Sequence, residues 1–382
     1  MPEVLGVGIA PSQGIRKGVV VDVQAAMDAI SASLHRAEQQ SGFKAISAFV
    51  GIADSHVLST NNHAVVAVRH PDNVVLADDV SRVIDAARIV QLPADQEILH
   101  VVPRFFVVDG VDGIRDPVGM IGRRLEVEAN IVTGSTTSIR NLVRSIEGIN
   151  VELDAIVLQP VAAGRAVLSE SERDLGAMVI DMGSGTTDVA VFRDGGIVHV
   201  SSLPVGGYQL TNDLAIGLRT SFAAAEELKI QHGSTIAEAQ PDGNTVTVAS
   251  GGREPPYSVD QRTIAEILDA RLAETFEVLQ EGLARAGFQD SFPAGIVLAG
   301  GSAQIPGIAE LAAEVFGVPT RVGRPRVLRG LVDTIRGPAF ATSVGLLIWG
   351  EERVEPISSN GVPGSLGKIG TTVRSWLRNF LG

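Results

Sequence analysis

Asp181, Gly183, Ser184, Gly185, Thr186 and Thr187 stand together in the run Val179-Ile180-Asp181-Met182-Gly183-Ser184-Gly185-Thr186-Thr187-Asp188. One acid, two glycines and adjacent hydroxyls suit a phosphate and its metal. Glycines let the backbone come close, N–H groups cradle oxygens, threonine hydroxyls donate, and the acid holds hydrated Mg²⁺. A second glycine pair, Gly300-Gly301, is followed by Ser302 and closes the apolar run Ala294–Ala299. Between the two lie Gly206-Gly207 after Pro204-Val205, and then Glu226 and Lys229 at i,i+3 on one helix. A nucleotide needs these parts in combination. The first loop takes phosphates, the later pair leaves room for a flat base or ribose, and an acid and a base hydrogen-bond ribose hydroxyls and ring nitrogens. Alone, G-x-G is equally the turn of a hairpin, and Glu226 with Lys229 is equally an exposed helical ion pair.

The elements that must position these residues follow from periodicity. Val179 and Ile180 end one strand and Val189 to Phe192 return as its hairpin partner, with Ile197 to Leu203 as a third strand. Helices are predicted at Gln209 to Leu218, around Ala223 to Ile230, at Asp260 to Ala286, at Ile308 to Phe316 and at Ala341 to Ile348, where Thr342 and Gly345 allow close packing. Upstream, Val4 to Ile9 reads as a strand. Val23, Ala26, Met27, Ile30, Leu34 and Ala37 make an amphipathic helix, and Ala48 to Ala53 is a strand. His56 to Ser59 and Ala64 to Val68 read as a hairpin turning at Asn61-Asn62. From Pro71 the pattern changes to a strand-and-helix module. It holds a helix begun by Asp78 and Asp79, strands Ile98 to Val108 and Leu125 to Val132 flanking the loop Gly110 to Gly122, and a helix Ser138 to Ile146. Asp154 to Leu158 is a strand leading into Gln159-Pro160, the start of a further helix.

The totals exclude several classes. At 382 residues and 45% hydrophobic, the chain has ample core for more than one domain. A net charge of −13 opposes nucleic acid as a partner. With no cysteine there is neither a disulfide nor a thiolate site, and the seven histidines are scattered. The opening Met1-Pro2-Glu3-Val4 lacks the basic region of a signal peptide.

The end of the chain carries a separate signal. After the linker Ser358 to Ser365, the residues Ile369, Val373, Trp376, Leu377, Phe380 and Leu381 fall within about 140° of a helical wheel. Lys368, Arg374 and Arg378 fall outside that arc, and no acid follows Glu355. A basic amphipathic helix with Trp and Phe on its apolar side suits an anionic membrane interface.

The order of these motifs resembles the actin, sugar-kinase and chaperone ATPase superfamily and, within it, the FtsA family of bacterial division proteins. The residues that carry the resemblance are the loop at Asp181–Asp188, Pro204 to Ala215, Ala225 to Lys229 with Gly233, and Ile296 to Ala303 with Ile305-Pro306-Gly307. Ser12-Gln13-Gly14-Ile15-Arg16-Lys17-Gly18 near the start matches as well. The resemblance implies an α/β, actin-like (ribonuclease H-like, duplicated) two-lobed fold with an inserted small α+β subdomain and a C-terminal amphipathic helix. The expected division is 1–71 with 148–176 for the first lobe, 72–147 for the insert, and 177–233 with 289–352 for the second lobe. Residues 234–288 form its subdomain, 353–367 a linker and 368–382 the membrane helix.

It further implies ATP and Mg²⁺ as ligands, self-association into filaments, contact with other division proteins, and a peripheral place on the cytoplasmic face of the cell membrane at the division site. The C-terminal peptide of FtsZ would be received near Arg271 and Glu274. Two departures stand out. The family's first strands and first Asp-x-Gly phosphate loop have no counterpart upstream of Val4, so a truncated start is expected. Gln159 stands where many superfamily ATPases carry an acid; glutamine orients water but takes no proton, so hydrolysis is expected to be weak or absent. A pilus-platform PilM-like protein and a kinase or chaperone ATPase share parts of the pattern. The first would lack the amphipathic tail, and the second would need both phosphate loops.

Overall fold

The computed structural model describes residues 3–238, 243–248, 255–288, 292–326, 329–331 and 333–353. The amphipathic tail Lys368–Leu381 and its linker lie outside them.

The phosphate-loop run organises the larger sheet. Strand Ala177–Met182 pairs antiparallel with Thr187–Arg193, with Met182 opposite Thr187, and Thr187–Arg193 pairs antiparallel with Gly196–Leu203. On its other edge Ala177–Met182 pairs parallel with Ile296–Ala299, which pairs parallel with Thr320–Val322. The five strands thus form a meander extended by two parallel strands. The central strands carry the apolar runs 177–180 and 189–192, buried because both faces are covered. Met178, Ile180 and Met182 point into one core with Leu210, Leu214, Leu268, Phe276 and Ile308. The alternate residues Ala177 and Val179 point into another with Val161, Ala162, Ala166, Ala341 and Val344.

That second core joins the two lobes. It also takes in Ile52 and Val157 of the parallel pair Ser47–Ile52 and Glu152–Leu158. Helices Gln159–Val167 and Ala341–Arg353 lie between the two sheets. Gly345 brings them together, since a Cβ there would stand 1.7 Å from the Ala162 carbonyl oxygen. The same crossing puts the Thr342 hydroxyl against Asp181.

The insert is an antiparallel sheet of four strands in the order Leu58–Ala67, Arg124–Ser135, Gln96–Val108, Val111–Ile114. Helix Ala77–Ala87 covers it through Val80, Val83, Ile84 and Ala87. Sheet and core therefore run from Leu58 to Ser135. Helix Thr136–Glu147, expected inside the insert, sends Ile139 and Ile146 to buried positions, and Ile139 joins the inter-lobe core. Asn130 ties the insert to the second lobe, its Nδ2 donating to Asn61 Oδ1 at 2.8 Å and to the Val198 carbonyl at 3.2 Å.

Three expectations need correction. There is no hairpin at Asn61-Asn62, because Leu58–Ala67 is one continuous strand. The Asn61 and Asn62 side chains bond across to Asn130 and to the Ala87 carbonyl, not locally to a turn. The loop Gly110 to Gly122 contains strand Val111–Ile114, entered through Asp109 and Gly110 with φ of 47° and 88°. The expected strand Val4 to Ile9 shrinks to Glu3–Val4, which pairs with Arg329–Gly330. Gly6 and Gly8 press on carbonyls of helix Val23–Ser41. The backbone there bonds the helix's side chains, with Val7 N–H donating to Gln40 Oε1 and the Ser33 hydroxyl donating to the Gly8 carbonyl.

Candidate nucleotide cleft

The turn between Met182 and Thr187 is closed by Gly183 N–H donating to the Thr186 carbonyl at 2.9 Å. Helix Gly207–Gly217 abuts it end-on. Gly207 N–H donates to the Gly183 carbonyl at 2.9 Å and Tyr208 N–H to the Ser184 carbonyl at 2.7 Å. Gly206 permits this, since a Cβ there would lie 2.6 Å from the Gly183 carbonyl oxygen. The loop is thus held by the helix N-terminus through its carbonyls, leaving its other face to the solvent cleft.

Two chambers open on that face. The larger, about 480 Å³, is lined by Gly183, Ser184, Gly207, Glu226, Lys229 and Gly233 on one side and by Gly301, Ser302, Gln304, Ile305 and Pro306 on the other. The smaller, about 220 Å³, is lined by Gly183 to Thr186, Gln159, Gly51, Ala53 and Ser138, and by Ser12, Ile15 and Gly18 from the N-terminal segment. Gly183 and Ser184 line both, so the chambers meet at the loop. Binding pockets for ligands of this kind span a few hundred Å³, on the order of 300–1,000.

Glu226 and Lys229 form a bonded cluster, not a solvated pair. Lys229 Nζ donates to Glu226 Oε2 at 2.7 Å, to Thr211 Oγ1 at 2.9 Å and to the Gly207 carbonyl at 3.1 Å, and its side chain is only 12% exposed. The Thr211 hydroxyl donates to Glu226 as well. Thr211, missed in the sequence, lies one helical turn past Gly207 and so on the same face. Gly301 and Ser302 stand across the larger chamber. Gly300 does not line it; its φ of 85° turns the chain where a Cβ would lie 2.4 Å from the Met182 carbonyl oxygen.

Other expected residues are engaged away from the cleft. The Thr187 hydroxyl donates to the Val205 carbonyl at 2.8 Å and the side chain is fully buried, so it staples loop to loop and is not free for phosphate. Thr186 borders the smaller chamber while its hydroxyl donates to Asp188. Asp181 is buried, accepts from Thr342 Oγ1 at 2.6 Å and lines neither chamber. Burial pushes its carboxyl above the ordinary range against that hydrogen bond. Asp181 faces Thr342 and neither chamber, so any part it takes in holding Mg²⁺ would be through water. Among the described residues, acids and histidines form no group of three or more that could hold a metal.

Gln159 lines the smaller chamber together with the loop. Arg271 is half-buried and paired: its Nε donates to Asp213 at 2.5 Å, its guanidinium pairs also with Glu274, and the Asp213 bond raises its pKa.

Comparison with known proteins places the chain in a family. The family model described as cell division protein FtsA matches residues 178–345, and that of the SHS2 domain inserted in FtsA matches 54–133. The cell division protein FtsA of Pseudomonas aeruginosa is 40% identical over 95% of this chain and 87% of its own. That of Escherichia coli is 32% identical over 99% and 92%, and that of Bacillus subtilis 38% over 90% and 77%. Among solved structures, a PilM-PilN type IV pilus biogenesis complex superposes with a TM-score of 0.62 at 18% identity, over 91% of this chain and 90% of that one. That likeness is one of fold.

Proposed function

Since the chain belongs to the FtsA family of cell division proteins, we propose that this actin-like division protein binds ATP in the cleft described above. The nucleoside occupies the larger chamber between Glu226–Lys229 and Gly301–Ser302, and the phosphates lie over Gly183 to Thr186. One observation carries this reading: two chambers of different size and lining meet at the loop whose residue types suit a phosphate. Any Mg²⁺ would take most of its ligands from the phosphates and water, in keeping with its octahedral demand. Gln159 orients water without accepting its proton. The nucleotide therefore serves assembly and is turned over slowly or not at all.

On this reading ATP-loaded protein self-associates through its lobes, meets other division proteins and receives the C-terminal peptide of FtsZ near Arg271 and Glu274. The tail from Lys368 to Leu381 holds the assembly to the cytoplasmic face of the membrane at the division site. The cleft is tested first. Titration calorimetry with ATP should give saturable binding. Gly207→Val, whose side chain would enter the larger chamber where a Cβ already lies 3.1 Å from Ser302 Oγ and 3.4 Å from Lys229 Nζ, should weaken it at least about tenfold, or 1.4 kcal/mol. A wild-type chain that takes up no ATP, or a Gly207→Val chain that binds normally, sinks the proposal. The self-association reading fails if ATP leaves the sedimentation profile unchanged.

A further inference from the structure

Every residue lining the smaller chamber is uncharged. A polyphosphate on the Gly183–Thr186 loop would bring several negative charges into it, and Lys229, the ammonium lining the neighbouring chamber, is already bonded to Glu226, Thr211 and a backbone carbonyl. A lysine stands beside the loop. Strands Ile15–Arg16 and Val19–Val20 form a hairpin with Lys17 and Gly18 at its tip, both left-handed, at φ of 51° and 79°. That conformation is ordinary for glycine and strained for lysine.

The tip rests on the phosphate loop itself. A Cβ added at Gly185 would stand 3.0 Å from both N and Cα of Lys17. Ile15 and Gly18, to either side of the pair Arg16-Lys17, line the chamber. The Lys17 side chain is exposed, and among the described residues its ammonium takes part in no hydrogen bond or ion pair.

We infer that Lys17 is a phosphate-binding residue, its ammonium closing from the rim onto a polyphosphate held by the Gly183–Thr186 loop, so that the N-terminal hairpin distinguishes nucleotides by their phosphate charge. The inference rests on the reading of the cleft as an ATP site. It gives a reason for lysine in a backbone position that suits glycine or asparagine better: the charge is kept at the cost of strain. Arg16 provides the control. It is the strand neighbour of chamber-lining Ile15, and alternation turns it to the other face.

The test compares ATP with adenosine on the full chain by calorimetry. Lys17→Asn and Lys17→Gly remove the charge with residues that tolerate the left-handed backbone, so both should fold. Each should lose about tenfold in ATP affinity at low salt, as expected for one charge-assisted contact, with adenosine affinity within about twofold of wild type. Added salt should narrow the ATP difference, and Arg16→Gln should match wild type. Unchanged ATP affinity in both Lys17 variants, equal loss for ATP and adenosine, or an equal loss in Arg16→Gln overturns the inference while the cleft reading stands. A wild-type chain that binds neither ligand overturns both.

Discussion

Asp188 holds its carboxyl, 2% exposed, between the Thr186 and Ser202 hydroxyls, each of which donates to it. Burial dominates its titration and pushes it up to about 7; the two hydroxyls pull the other way, and the charges of Asp181 and Asp54 add to the rise. The folded protein therefore holds this proton more tightly than the unfolded chain, whose value is 3.8. The stabilisation is present in full below the unfolded value and is lost as pH rises through the folded one. Asp188→Asn removes the titration, and the flanking hydroxyls can rotate to accept from the amide. Between about pH 5 and about pH 8 the wild type should lose thermal stability that the variant keeps. Parallel slopes of melting temperature against pH for the two proteins would show that another group titrates. The sequence displayed Asp188 only as the acid after Thr186-Thr187. Its environment depends on Ser202 a strand away and Asp54 in the other lobe, and neither contact has a local signature.

At the scale of elements, helix crossing decides where the cleft's walls stand. Gly345 and Gly282 are both helical glycines, and they make opposite predictions. A Cβ at Gly345 overlaps the Ala162 carbonyl, so Gly345→Ala must push helix Ala341–Arg353 off Gln159–Val167. Overpacking of this kind costs about 1–3 kcal/mol. A Cβ at Gly282 in helix Gln261–Arg285 meets nothing within 4 Å. Gly282→Ala should therefore stabilise by roughly 0.5–1 kcal/mol through helix propensity. Urea denaturation of both variants checks the pair, and a Gly345→Ala protein as stable as wild type would mean that the helices are not in contact. The small residues at 342 and 345 were legible as a packing face. Their partner helix, 183 residues earlier along the Thr342–Gln159 contact, was not, because no periodicity encodes which face meets which. The Asp109-Gly110 turn, by contrast, could have been read. Asp-Gly between apolar runs is a strong two-residue hairpin signal, here masked by the glycine and proline that surround it. Asn61-Asn62 erred the other way: a turn-forming pair was drawn into a strand by long-range amide bonds.

At the scale of the whole molecule, the chain carries −13, and the proposed tether must bring it to an anionic surface. Net charge of that sign opposes approach, but the opposition is screened beyond a Debye length of about 8 Å at physiological salt. The basic sequence after Glu355 can therefore be attracted to such a surface despite the charge of the whole chain. On the proposed tether, Lys368, Arg374 and Arg378 would each contribute on the order of 1 kcal/mol near anionic lipid, and Trp376 and Phe380 would add apolar burial that salt does not weaken. Among the described residues no helix is long and apolar enough to cross a membrane. The glycine loops and the tail were legible because each is local. The rim that Lys17 adds to the cleft was not, being a contact between segments far apart in the chain. Sedimentation with vesicles tests the tether and the FtsZ reading together. The full chain should carry a labelled FtsZ C-terminal peptide into the pellet with vesicles containing phosphatidylglycerol, less with neutral ones, and less with Arg271→Ala. The chain lacking residues 366–382 should leave both in the supernatant while still binding the peptide in solution. Equal pelleting with and without 366–382 would remove the tether. Peptide that stays behind while the full chain pellets would remove the FtsZ site and leave the tether standing.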